Sequence, residues 1–197
     1  MIMQKSSIAT TVEFLGTPEA GKTTMVHMLA EKLSKSRKPL IVREAAETLP
    51  VVFPKNSVAS NFWIGLKTAQ TVLEAQYQKD YDIILADRGI IDRYFWNYYY
   101  ASIGEITWEQ ADSIHNCFDS IGISKPNLVV ALSITPEEAI RRRGGEGHIV
   151  TLEFIEDFNQ KLYSFIKTIE YPVIYLDTTQ MSKEEVFEFL IQKISKL

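Results

Sequence analysis

The stretch FLGTPEAGKTTM, residues 14–25, decides the fold. It holds Gly16, four residues, Gly21, Lys22 and Thr23. Two glycines at that spacing let successive backbone N–H groups turn inward, because neither carries a Cβ to oppose the angles required. An apolar run, residues 11–15, precedes the loop as a strand. A helical pattern, residues 21–36, follows it, with Met25, Met28, Leu29 and Leu33 at helical spacing. Strand, glycine-rich loop and helix together form a cradle for phosphate, since the helix adds the positive end of its dipole. Gly16, Glu19, Ala20, Gly21, Lys22, Thr23 and Thr24 are therefore expected to hold a nucleoside triphosphate. Lys22 would neutralise β/γ-phosphate charge, and the Thr23 hydroxyl would reach Mg²⁺. No N-K-x-D guanine signature occurs, so ATP is better supported than GTP.

The same alternation continues outward. Strands are predicted over residues 39–42, 82–86, 127–133 and 172–176. Several are continuous apolar runs, which suit strands covered on both faces. Helices are predicted over 57–79, 90–101, 108–121, from 135 onward, 151–169 and 182–194. Thr135 with Glu138, Thr107 with Gln110 and Ser182 with Glu185 read as capping boxes. The order β-α-β-α-β-α-α-β-α-α-β-α predicts a single doubly wound α/β domain, residues 1–197, with a mainly parallel five-stranded sheet and helices on both faces. The loop 44–55, with Pro50 and Pro54, is the longest irregular piece.

The 197 residues carry 21 Lys and Arg against 25 Asp and Glu, a net charge of −4. Such a chain is a poor general binder of nucleic acid. No stretch approaches the roughly 20 apolar residues of a membrane span. The N-terminus has no long apolar core of a signal peptide, and Glu13 interrupts its one apolar run. A lone cysteine, Cys117, reads as a small buried hydrophobe and excludes an intrachain disulfide. These features fit a cytoplasmic protein. His27, His115 and His148 have no metal-ligand spacing.

The second constellation is YDIILADRGIIDRYFW, residues 81–96. Asp87 and Arg88 fall at the carboxyl end of a strand, the edge where open α/β sheets bind ligands. Asp87 there would hold Mg²⁺ directly or through water, and Arg88 would clamp a phosphate with its planar fork of donors. The alternative is that Asp87 caps the next helix and Arg88 forms a surface ion pair. Arg93 lies five residues on. Farther along, EEAIRRRGGEGH ends a helix with Arg141, Arg142 and Arg143. Arginines there suit the helix dipole, with Gly144 as an αL cap. They also suit a mobile lid, about residues 141–150, that stabilises charge on a transferring phosphoryl group.

Three pieces, GTPEAGKTT, ADRG with IIDRYFW, and ITPEEAIRRRGGEG, resemble the thymidylate kinase and deoxynucleoside kinase group of P-loop kinases in their order and separation. The resemblance covers nearly the whole chain. It implies transfer of the γ-phosphoryl of ATP, with Mg²⁺, to a nucleoside monophosphate or deoxynucleoside. It gives Glu44, just after Arg43, the role of general base for a sugar hydroxyl. It makes residues 141–150 the lid, with Arg141 and Arg143 favoured. It places Phe62, Trp63 and Gln70 on the helix that lines the acceptor site, with Arg43, Arg88 and Arg93 as further acceptor contacts. The resembling kinases are often dimers, and the aromatic run RYFWNYYY, residues 93–100, reads as core or as a subunit interface.

The chain departs from the thymidylate kinase pattern in places. Pro18 stands at an acidic position of the loop, Thr68 where an arginine reads thymine, and Ala45 where a proline follows the glutamate. Two other readings stay open. One is a small-molecule kinase with a sugar or antibiotic hydroxyl as acceptor. The other is a nucleotide-dependent regulatory NTPase.

Overall fold

In the computed structural model, which describes residues 9–54, 57–145 and 150–197, β-strands and α-helices alternate as the hydrophobic periodicity predicts. The strands are β1 (Thr10–Gly16), β2 (Pro39–Val42), β3 (Ile83–Asp87), β4 (Leu128–Ser133) and β5 (Val173–Asp177). The helices are α1 (Lys22–Leu33), α2 (Val58–Tyr77), α3 (Ile90–Ser102), α4 (Trp108–Ser120), α5 (Pro136–Arg143), α6 (Leu152–Ile166) and α7 (Lys183–Ile194). One sheet forms in the order β2-β3-β1-β4-β5. Every pairing in it is parallel, so the expected mainly parallel sheet is parallel throughout.

Alternation along β1 sorts the core. Val12 and Phe14 pack with Met25 and Leu29 of α1 and Leu190 of α7 on one face. Leu15 packs with Phe95 of α3 and Phe158 of α6 on the other. That second cluster absorbs much of the aromatic run. Phe95 is fully buried, its ring centroid 4.8 Å from that of Phe158 in an edge contact. Core is thus the role of Phe95 and Tyr99. Burial on both faces is the physical reason β3 and β4 read as unbroken apolar runs.

Local details differ from the sequence expectations. The loop after β2 contains a short 3-10 turn, Ala45–Thr48, and its last residue, 55, lies outside the described residues. Capping boxes form at Ser182 with Glu185 and Thr107 with Gln110, and also at Ser57 with Ser60. The one expected at Thr135 does not. Glu138 is bound instead to Arg141 and Arg142, which hold its carboxyl down at about 2. Cys117 is half-buried rather than buried. No helix among the described residues is long and apolar enough to cross a membrane.

Candidate functional site

The parallel order brings the carboxyl ends of β1, β2 and β3 side by side, with β1 between β3 and β4. The glycine-rich loop leaves the end of β1. Gly16 has φ 130°, and a Cβ there would stand 1.9 Å from the Leu132 carbonyl oxygen of β4. Only glycine lets the chain turn this close to its neighbour. The Thr17 N–H donates to that Leu132 carbonyl at 2.9 Å. The Thr17 hydroxyl donates to Asn159 of α6 at 2.5 Å, and the Asn159 amide donates to the Ile134 carbonyl at 2.8 Å. On the far side of the loop the Thr178 hydroxyl, after β5, lies 3.3 Å from the Ala20 carbonyl. The loop is therefore anchored to β4, α6 and the end of β5.

Lys22 lies buried inside this loop. Its Nζ donates to the carbonyls of Gly16, at 3.0 Å, and Thr17, at 2.7 Å. Burial, then the neighbouring Arg88, pulls the ammonium down to about 7. Its charge would be restored by an anion in the cleft. The Thr23 hydroxyl donates to Asp87 Oδ2 at 2.5 Å, joining α1 to the end of β3. Asp87 Oδ1 is buried with no hydrogen-bond partner. A hydroxyl and a carboxylate with one unsatisfied buried oxygen form a hard-oxygen set suited to a small divalent cation that keeps most of its waters. Among the described residues no group of three or more His, Cys, Asp or Glu is gathered for a tightly caged metal.

Arg88 follows at φ 63°, an unusual angle for a side chain with a Cβ. It is buried in an acidic ring, with Glu44 Oε2 2.9 Å from its Nε and Asp92 Oδ1 3.2 Å from its Nη1. Asp92 also pairs with Arg93, and its backbone N–H donates to Glu13 Oε1 of β1 at 2.8 Å. Gly89 makes this arrangement possible, since a Cβ there would lie 2.5 Å from the Glu13 carboxyl carbon. Two arginines and three acids thus stack beneath the start of α3.

A cleft of about 950 Å³ opens over these groups. Its walls are the loop residues Glu19 to Thr24, then Glu44 and Arg88, then Arg141, Arg142 and Arg143, and finally residues 178–183. The arginines of α5 differ in use. Arg142 donates to the Thr178 carbonyl at 2.7 Å and binds Glu138 at 2.9 Å, so it ties α5 to the loop after β5. Arg141 projects outward with a bidentate bond to Glu138. Arg143 stands 3.8 Å from Glu19. Gly144 takes the αL cap, φ 86°. The expected lid extends into residues 146–149, which lie outside the described residues, as does His148.

The expected acceptor residues are placed unevenly. Arg88 and Glu44 line the cleft. Arg93 is buried against Asp92 and does not line it. Arg43 is exposed and lies outside the lining. Phe62 stacks on Phe118 with centroids 6.4 Å apart, and Trp63 lies 6.1 Å from Phe53. Gln70 faces solvent, donating to Glu74 at 2.8 Å, so the structure does not bring it to the cleft. Thr68, two residues earlier, is the inward-facing side chain. Sequence reasoning missed Glu13, Asp92, Thr17, Asn159 and Thr178, and it favoured Arg141 and Arg143 over Arg142. The i, i+4 spacing of Arg88 and Asp92 was a readable signal for one of them.

Known proteins share the fold. A deoxyadenosine kinase from M. mycoides, with dCMP and a flexible dCDP bound as products, superposes with a TM-score of 0.72 at 17% identity. The alignment covers 95% of this chain and 100% of that one. The same enzyme with bound dCTP superposes with a TM-score of 0.70, at the same identity and coverage. No protein-family model matches the sequence, and no curated protein matches it.

Proposed function

We propose that the protein transfers the γ-phosphoryl group of ATP, with Mg²⁺, to a nucleoside monophosphate or a deoxynucleoside. The observation that carries this reading is the single cleft in which Lys22, the Thr23–Asp87 pair and the Arg88–Glu44 pair meet. The first two groups suit a metal-bound triphosphate. The third suits an acceptor beside it. The shared fold of a kinase that holds nucleotides adds support.

Catalysis would be positioning and charge stabilisation. The loop amides and Lys22 hold the donor phosphates. Thr23 and Asp87 would hold the metal, which would supply neutralisation of phosphate charge. Arg88 orients the acceptor, and Glu44 takes the proton of a sugar hydroxyl as the new P–O bond forms. A monophosphate acceptor would need no such base, so Glu44→Gln separates the two acceptor classes. The arginines of α5 close over the donor. The solvent-facing Gln70 favours, as a second reading, an acceptor without a nucleobase.

The test is release of ADP from ATP and Mg²⁺ across a panel of nucleosides and nucleoside monophosphates, with Lys22→Ala as control. Turnover that requires one acceptor and vanishes in the variant supports the reading. ATP binding without turnover for any member of the panel refutes it.

A further inference from the structure

A second cavity, about 320 Å³, lies on the α2, α3 and α4 side of the sheet and shares no lining residue with the phosphate cleft. That volume falls at the small end of ligand sites and accommodates a one-ring molecule. Val72, Ala86, Ile90, Ile91, Phe118 and Ile123 form the apolar part of its wall, and Thr11, Ser124 and Tyr94 are among its polar lining. Two acids border it. Glu13 is 3% exposed, and Asp119 sits at the rim, accepting the Tyr94 hydroxyl at 2.6 Å. The basic residue in the lining, Lys125, is exposed and lies over the Tyr171 ring, 5.1 Å from its centroid.

Glu13 is an expensive residue to bury. An acid inside a strand core needs a cation or a proton. Burial pushes its carboxyl up to about 8, although the charge of nearby Arg93 acts to lower it. The backbone N–H of Asp92 satisfies Oε1. This carboxyl does not line the phosphate cleft and reaches it only through Asp92. An apolar chamber with an acid in its wall and another at its rim has the chemistry of a site for an organic cation. The flat ring occupies the apolar chamber, and the cationic head meets the carboxylates.

We propose that this cavity binds a small aromatic cation, a single ring carrying an amidine, guanidine or amine that pairs with Glu13. The pairing ionises Glu13, whose proton passes to solvent. The bound head would lie one hydrogen bond from Asp92 and therefore next to the Arg88 and Arg93 pairs.

Benzamidine is the probe, with benzamide and benzoate as neutral and anionic controls of the same shape. Binding to the full chain is followed by calorimetry and by chemical-shift changes, with and without ATP. Benzamidine binds and benzoate does not. Glu13→Gln weakens binding by at least about tenfold, since an ionic pair becomes a neutral contact. Val72→Phe, which fills the chamber with an apolar ring, abolishes it. Failure of benzamidine to bind overturns the assignment. So does equal binding of benzoate, indifference to Glu13→Gln, or displacement by ATP or by the phosphoryl acceptor. Neither side chain lines the phosphate cleft, and binding of benzamidine is read directly, without the phosphoryl-transfer assay.

Discussion

Replacing Glu13 by glutamine should change how stability depends on pH. The glutamine keeps the shape and a carbonyl oxygen for the Asp92 N–H, 2.8 Å from Glu13 Oε1 in the native chain, but it has no titrating proton. In the native chain burial pushes the Glu13 carboxyl up to about 8, from an ordinary value of 4.5. Between those pH values the folded chain holds a proton that the unfolded chain has released. Stability from this group is therefore complete below about 4.5 and is lost as pH rises through about 8. At about 1.4 kcal/mol per pH unit, the whole interval amounts to about 5 kcal/mol. The assay is urea unfolding of wild type and Glu13→Gln at several pH values from about 5 to about 9, read by circular dichroism. Subtracting the variant's free energy from the wild type's cancels the groups common to both. The difference should decline by about 1.4 kcal/mol per pH unit up to about 8 and then level off. A difference that does not vary with pH would refute the reasoning, since Glu13 would then be ionised in the folded protein.

Three further outcomes are expected. Gly16→Ala forces a Cβ against the Leu132 carbonyl, a backbone atom that cannot swing aside, so nucleotide binding is lost by calorimetry while far-UV dichroism is retained; retained binding would show that the loop leaves β4 in solution. Arg142→Ala removes the bond to the Thr178 carbonyl and frees α5. ATP affinity should fall by about tenfold, or about 1.4 kcal/mol, and an unchanged dissociation constant would mean that α5 does not shape the donor site. Gly65→Ala gains about 1 kcal/mol of helix propensity but sets a Cβ 2.2 Å from the Phe118 ring. Overpacking of about 1–3 kcal/mol wins, so thermal unfolding should occur earlier, and Phe118→Leu in the same chain should recover part of the loss.

The strands were legible because their environment leaves a compositional trace. Ile83 to Ala86 is apolar without alternation, and β3 is buried along its whole length, so the inference from one to the other is direct. Its end was misjudged by one residue because Asp87 looks like a loop residue, yet it still pairs with Phe14. The meeting of Thr23 with Asp87 followed from topology, since adjacent parallel strands end together. Side-chain direction was less accessible. Gln70 lies two residues from Thr68 on α2, a rotation of about 200°, which turns it from the buried face to solvent. Glu13 was read as a break in an apolar run. It shares its strand face with Thr11, and both line the second cavity. The Thr17–Asn159 and Arg142–Thr178 links were not legible, because Asn159 and Thr178 lie far away in sequence and belong to no motif.

The position of β1 in the sheet bears on how the chain acquires its phosphate loop. The loop is encoded near the N-terminus, but it rests on Leu132 and Asn159. A nascent chain emerging from the ribosome has made Gly16 and Lys22 long before either support exists. Its first strand must wait for β3, at Ile83, and then for β4, at Leu128, before it is paired on both edges. Such non-local pairing slows folding and leaves apolar strand edges unpaired meanwhile. Truncated chains that end before β4 should therefore be captured by chaperones and bind no nucleotide, although the entire glycine-rich motif is present in them.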